Sequence, residues 1–266
     1  MHKVEQGSAR SVVALARNDD ARVRLFCFPF AGGGASVFRK WTPHVSRDVQ
    51  MLAIQMPGRE SRLSEDLHVD ISVAVAAIVD DLLPWLDRPF AFLGHSLGSL
   101  ISFCVARELR ERGAPMPLHM FLSARRAPHL AGPRRALHGL PRDELLRELR
   151  SLEGTPSAVL EHEELLELLL PILRADFQLN ERYVHAEAAP LPCTATVMGG
   201  LSDTAADHAQ LAQWAQHFDG STELDMFPGG HFYIDQMLPV LGARIGQRLL
   251  SPVGRGTAVE TACAAG

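Results

Sequence analysis

The segment Gly94-His95-Ser96-Leu97-Gly98 carries the sharpest chemical signal in the chain. It follows the apolar run FAFL (90–93) and precedes the helical stretch SLISFCVARELRER. A strand, a sharp turn and a helix are the setting of a G-x-S-x-G nucleophile elbow. Side chains at 94 and 98 would collide with the neighbouring strand and helix, and glycine removes them. The turn then stands the Ser96 hydroxyl above the sheet at a helix N-terminus. There the helix dipole favours a developing negative charge. The plain alternative is a structural turn.

A serine hydroxyl near neutral pH needs a base, and the base needs an orienting acid. Of twelve histidines, His231 stands out in FPGGHF (227–232), between the last strand-like run and the last helical one. Its two preceding glycines free the loop to bring the ring over Ser96. His95 adjoins Ser96, so its side chain is expected to point away and serve structure. The candidate acid is Asp203 in MGGLSD (198–203), in the loop after the penultimate strand-like run. Asp207 reads as a helix-start acid, and Asp225 lies within the last strand-like run; both stay open as alternatives. Acyl chemistry also needs two N–H groups aimed at the tetrahedral oxygen. Leu97 offers one. The glycine-rich loop FPFAGGGA (28–35) offers the other, with Ala31 the best candidate donor. Phosphate binding fits this loop poorly. It lacks a Gly-Lys-Ser/Thr ending, and Val37 stands where a third spaced glycine would be.

These residues must be held by a scaffold, and the apolar pattern supplies one. Short runs at Val23–Phe28, Met51–Met56, Phe90–Leu93, Leu118–Leu122, Thr194–Met198 and Glu223–Phe227 read as strands. Helical stretches at Ser72–Leu86, Leu97–Arg112, Asp207–His217 and Ile234–Leu249 fall between them. This alternation predicts an α/β fold with a mostly parallel central sheet flanked by helices. Residues from about 125 to 189 break it with helical patterns alone. Pro141–Leu152 starts as a helix should, with proline in the first turn and acids after it. Glu161–Asn180 is amphipathic, with Pro171 expected to kink it. This insertion reads as a helical lid over the carboxyl ends of the strands. One domain is expected over 21–250, with a flexible segment at 1–20 and a disordered tail at 251–266.

Composition narrows the function. Against 26 Lys+Arg stand 31 Asp+Glu, a balance that argues against nucleic-acid binding. No apolar run is long enough to span a membrane. Met1–Arg17 lacks a secretory pattern. Cys27, Cys104, Cys193 and Cys263 show no metal or redox spacing, and buried free thiols suit a reducing cytoplasm. A cytoplasmic monomer is expected.

Taken together, six motifs in order resemble the type II thioesterases of polyketide and nonribosomal peptide assembly. They are FCFPFAGGGASVF, PGRESR (57–62), GHSLG, LPILRADF (170–177), MGGLSD and FPGGHFYI. The resemblance runs from about Leu25 to Leu249. It implies an α/β-hydrolase fold with a helical lid. It also implies hydrolysis of acyl thioesters on the phosphopantetheine arm of acyl or peptidyl carrier proteins, with editing as the usual role. Ser96, His231 and Asp203 would form the triad, with no metal or organic cofactor. Thr204-Ala205-Ala206 departs from the short Pro-containing turn more usual after the acid. Phe30, Leu165, Leu169 and Phe232 are candidate substrate contacts; Leu168, Ile172 and Leu173 share the lid's apolar face. Arg59 and Arg62 could meet an acidic carrier domain or phosphate, or form a structural ion pair. Rival readings are a carboxylesterase or lipase, an acyltransferase, and a non-catalytic binding protein on the same fold.

Overall fold

The computed structural model describes residues 10–16, 18–132, 135–151 and 161–251. A seven-stranded sheet runs through it in the order β1-β3-β2-β4-β5-β6-β7. The strands are β1 (Val12–Ala14), β2 (Val23–Phe28), β3 (Val49–Ile54), β4 (Phe90–His95), β5 (His119–Ser123), β6 (Thr194–Gly200) and β7 (Thr222–Phe227). Only β1 is antiparallel, pairing with β3 at the edge. The others pair in parallel. Every residue of β2, β3, β4 and β5 is buried. Such burial is expected of parallel strands covered on both faces, and it is why their sequences are mostly apolar, with only Arg24, Gln50, His95, His119 and Ser123 as buried polar members.

One face is covered by α1 (Ile71–Leu82) and α2 (Leu97–Glu111), through Val75, Ile78, Leu100 and Ile101. The other face carries α6 (Leu238–Leu250) and the 3-10 helix Ala35–Trp41, through Leu241, Ile245, Phe38 and Trp41. Between β6 and β7 lies the short α5 (His208–Ala212). Helices α3 (Arg142–Ser151) and α4 (Glu163–Glu181) build a third apolar cluster of their own, with Leu145, Leu149, Leu166, Leu170 and Leu173. They occupy the stretch expected to be helical only.

Several expectations shift. β1 lies inside the segment expected to be flexible; residues 1–9 and 252–266 lie outside the described residues. β3 starts two residues early because Gln50 is buried in it, accepting a 3.2 Å bond from buried Arg24. α1 stops at Leu82 because Pro84 has no N–H to continue it, and a 3-10 turn follows. α4 runs unbroken through Pro171.

The sheet holds two neutral histidines. His119 is 2% exposed and meets the hydroxyls of Thr194 and Thr196 at 2.6 and 2.9 Å. Burial, and then the charge of Arg248, pushes its pKa down to about 3. His95, 1% exposed, is pushed well below the usual histidine range by burial and then by His231. The unfolded chain takes up these protons near pH 6.5 and the folded chain does not. Their contribution is therefore intact above pH 6.5 and lost as pH falls toward the folded values. Each should steepen the acid loss of stability by about 1.4 kcal/mol per pH unit. Urea unfolding between pH 6 and 4 should show His119→Gln with a slope shallower by about that amount; an unchanged slope would refute it.

Candidate active site

The chain leaves β2 for β3 on one side and returns to β4 on the other. Such a switch point opens a crevice at the carboxyl ends of the two strands. Phe28 pairs with Gly94 across it, so the glycine-rich loop and the elbow emerge side by side. Gly200 at the end of β6 likewise pairs with Phe227 at the end of β7. The loops carrying Asp203 and His231 therefore leave the same edge of the sheet.

At the elbow Ser96 sits at φ 55°, ψ −116°, directly before α2. Glycine is required on either side. A Cβ on Gly98 would lie 2.0 Å from the carbonyl oxygen of Phe28, and one on Gly94 would lie 2.4 Å from that of Gly98. The N–H of Ser96 donates to the carbonyl of Ser123 at 2.8 Å. Leu97 is the first residue of α2, where an N–H has no carbonyl one turn earlier to bond.

His231 faces both partners. Its Nε2 lies 3.0 Å from Ser96 Oγ, and its Nδ1 lies 2.8 Å from Asp203 Oδ2. A carboxylate only accepts, so Nδ1–H donates to Asp203 and Nε2 is free to accept from the serine. The Asp203 side chain is fully buried. Its other oxygen accepts from the N–H of Ala205 at 2.8 Å, a bond a proline at 205 could not make. The unusual Thr-Ala-Ala turn thus supports the acid. The two loops touch backbone to backbone: Ser202 N–H donates to the carbonyl of Gly229 at 2.9 Å. A Cβ on Gly200 would come within 2.2 Å of the carbonyl of Gly230.

Ser96 and His231 open into a cavity of about 180 Å³. Phe30, Ala31, Leu137, Leu149, Leu173, Phe177 and Phe232 give it an apolar wall, and Arg125, Arg126, Asn180 and Glu181 a polar one. A second hollow of about 580 Å³ lies beyond Phe30, Ala31, Leu173 and Phe232, which line both. Leu165, Leu168, Leu169 and Ile172 face this outer hollow and do not line the Ser96 cavity.

A thioesterase-domain family model matches residues 23–245. The chain belongs to the thioesterase family. A relative from Brevibacillus parabrevis, named linear gramicidin dehydrogenase LgrE, is 38% identical over 96% of this chain and all of its own. The structure of the RedJ thioesterase from the prodiginine pathway of Streptomyces coelicolor superposes with a TM-score of 0.79 at 36% identity. The match covers 84% of this chain and 90% of that one. The type II thioesterase BorB from the borrelidin cluster gives 0.82 at 30%, over 90% and 97%.

In this thioesterase the remaining candidates find ordinary roles. Asp207 caps α5 in a reciprocal capping box with Gln210. Asp225 pairs with Arg244 at 2.5 Å. Arg62 is held by Glu65, Ser11 and the carbonyl of Gln55. Arg59 is buried against Asp176. Burial pushes the Cys104 and Cys193 thiols up to about 12, so neither offers a thiolate near neutral pH. Cys27 is also buried, and Cys263 lies outside the described residues.

One contributor, Ser123, carries no motif of its own. The Ser123 hydroxyl bonds His95 Nδ1 at 2.8 Å and the Tyr233 hydroxyl at 2.7 Å. It thereby ties the elbow to the base loop. His95 also packs edge-on or tilted against Phe30, His231 and Phe232, with ring centres 5.4 to 5.8 Å apart.

The contact at Gly200 yields a direct test. Gly200→Ala should push the Gly229–Gly230 backbone away and draw His231 off Asp203. Turnover should fall by about 10²-fold or more, the scale of misplacing a catalytic group by 1 Å. Wild-type turnover in a folded Gly200→Ala protein would refute the packing argument.

Proposed function

We propose that this thioesterase hydrolyses acyl thioesters carried on the phosphopantetheine arm of an acyl or peptidyl carrier protein, acting as an editing type II enzyme in the cytoplasm. The hydrogen-bonded chain Asp203–His231–Ser96, set in a cavity that shares Phe30, Ala31, Leu173 and Phe232 with an outer hollow, carries this reading. Names of relatives, such as a type II thioesterase in a borrelidin cluster, support it.

Ser96 Oγ attacks the thioester carbonyl as its proton passes to His231 Nε2. The N–H groups of Leu97 and Ala31 take the oxyanion. Asp203, buried against Nδ1–H, stabilises the imidazolium. Collapse breaks the C–S bond, and the imidazolium returns its proton to the leaving thiolate. His231 then deprotonates water, which releases the acid and restores Ser96. None of these steps needs a metal or cofactor. The acyl chain occupies the inner apolar cavity, with Phe30 and Phe232 at its mouth. The pantetheine arm lies in the outer hollow, along Leu165 and Leu169.

The dehydrogenase name of one relative suggests hydride transfer instead. Here the N–H of Gly32, in the loop that would cradle a pyrophosphate, already donates to the Asp176 carboxylate at 2.7 Å. A buried anion there opposes a second one.

The test loads acyl groups on a phosphopantetheinylated carrier protein and compares them with the same acyl oxygen esters. Wild type should release the thioester faster than the ester. Ser96→Ala should lose several orders of magnitude, and Asp203→Asn about 10⁴-fold in kcat. Ester release without thioester release would favour a carboxylesterase. Acyl transfer to an added amine or alcohol in preference to water would favour an acyltransferase. Activity unchanged in Ser96→Ala would refute the mechanism.

A further inference from the structure

Asp176 lies in the C-terminal half of α4, 1% exposed, and is not a member of the hydrolytic machinery. Its carboxylate takes three bonds. Arg59 Nη1 donates to Oδ2 at 2.6 Å and Nη2 to Oδ1 at 2.8 Å, a two-pronged pair. The third donor is the backbone N–H of Gly32, 2.7 Å from Oδ2. Arg59 Nη1 also reaches the carbonyl of Gly33 at 3.2 Å. One carboxylate therefore joins α4, the PGRESR segment and the glycine-rich loop.

The loop's own bonds give this clasp a chemical meaning. The carbonyl of Phe30 accepts from the N–H of Gly33 at 2.9 Å, inside the turn. A trans peptide is planar, so the N–H of Ala31 points opposite to that carbonyl, out of the turn. The next peptide, between Ala31 and Gly32, is held by Asp176. Both peptide planes flanking Ala31 are thus fixed, one by the turn and one by the carboxylate. Leu173, one turn before Asp176 on α4, packs at the same loop and lines the Ser96 cavity.

We propose that Asp176, backed by Arg59, is a positioning residue for the oxyanion loop. It aims the Ala31 N–H only while α4 is seated over the site. The proposal rests on the triad mechanism above and adds a link between the covering helix and transition-state stabilisation. A carboxylate is needed because all three partners are donors. An amide at 176 would turn an NH₂ group against either the guanidinium or the Gly32 N–H.

A purely structural ion pair would behave differently, and a double substitution separates the two. Arg59→Met with Asp176→Leu replaces the buried pair by apolar side chains, a change that often preserves or raises stability. It nonetheless removes the acceptor for Gly32. The double variant should melt near wild type, lose about 10–100-fold in kcat, and keep KM within about twofold, up to the lower end of the roughly 10²–10³-fold cost of losing one oxyanion donor outright. An alkylboronic acid that mimics the tetrahedral intermediate should lose affinity by a similar factor, while the product carboxylic acid binds as before. Wild-type kcat and boronate affinity in the folded double variant would overturn the proposal. If that variant does not fold, Asp176→Asn is read by the same split: lost kcat at constant KM supports positioning, and unchanged kcat overturns it. Ser96→Ala in the same assay keeps the two readings apart. Its retained activity would sink the triad mechanism, whereas an inactive Ser96→Ala beside fully active Asp176 variants would sink only the positioning role.

Discussion

A serine at φ 55° is held against its own preference, at a cost of about 1–3 kcal/mol for a non-glycine residue in a sparsely populated backbone region. Neighbouring strands hold it there. The carbonyl of Ser123, at the end of β5, accepts from Ser96 N–H. The Ser99 hydroxyl donates toward the carbonyls of Gly94 and Ser123 at 2.8 and 2.9 Å, and accepts from Ser123 N–H at 3.0 Å. Gly98 lets α2 come down onto the end of β2. Relaxing Ser96 would break this stitching, so the parallel register of β2, β4 and β5 holds the hydroxyl in place. The loop that would supply the second oxyanion donor starts from the same β2 end.

Two buried carboxylates then organise what the strands leave free. Asp203 takes His231 and the Ala205 N–H; Asp176 takes Arg59 and the Gly32 N–H. Each sits beside a cationic or cation-forming partner and one backbone donor. That arrangement satisfies a desolvated charge and fixes a loop at once. Both carboxylates are buried, and the apolar Phe30, Phe232 and Leu173 line the hollows beside them. Hydrogen bonds and charges act more strongly in such surroundings than in bulk water.

The sheet and the triad were readable because each rests on a local pattern. Strands covered on both faces are largely apolar, and the elbow and the acid loop each follow one of them; the base loop follows the partly exposed edge strand β7, which Leu224, Met226 and Phe227 still mark. β1 was missed because three residues at an edge make no such run. An ion pair at Arg59 was one open reading, but its partner, Asp176, was unreadable for another reason. The two residues lie 117 positions apart, and each sits among charged residues that look equally suited to solvent. Only the fold shows that one face of α4 turns Asp176 inward. Periodicity likewise identified the apolar face of α4 but not its two destinations. Leu165 and Leu169 turn to the outer hollow, while Leu173, one further turn along, borders both.

That division of α4 bears on how substrate reaches Ser96. Toward its C-terminal half the helix is bound on several sides. Asp176 holds the glycine-rich loop, Arg174 donates to the carbonyl of His138 at 2.7 Å, and Glu181 accepts from Leu137 N–H at 2.6 Å. Lifting this half would strand a buried guanidinium and a buried carboxylate, which is among the more costly ways to open a protein. The half near Glu163 has no comparable buried polar anchor among the described residues; Leu166 and Leu170 pack it on α3, with which it can move, and Arg142 meets Glu163 and Glu167 there in exposed ion pairs of small energetic weight. Leu165 and Leu168, 44% and 59% exposed, lie on that half beside the outer hollow. Adjustment of the covering layer is therefore cheapest where the outer hollow begins, and the bonds that hold the glycine-rich loop can stay intact while it occurs.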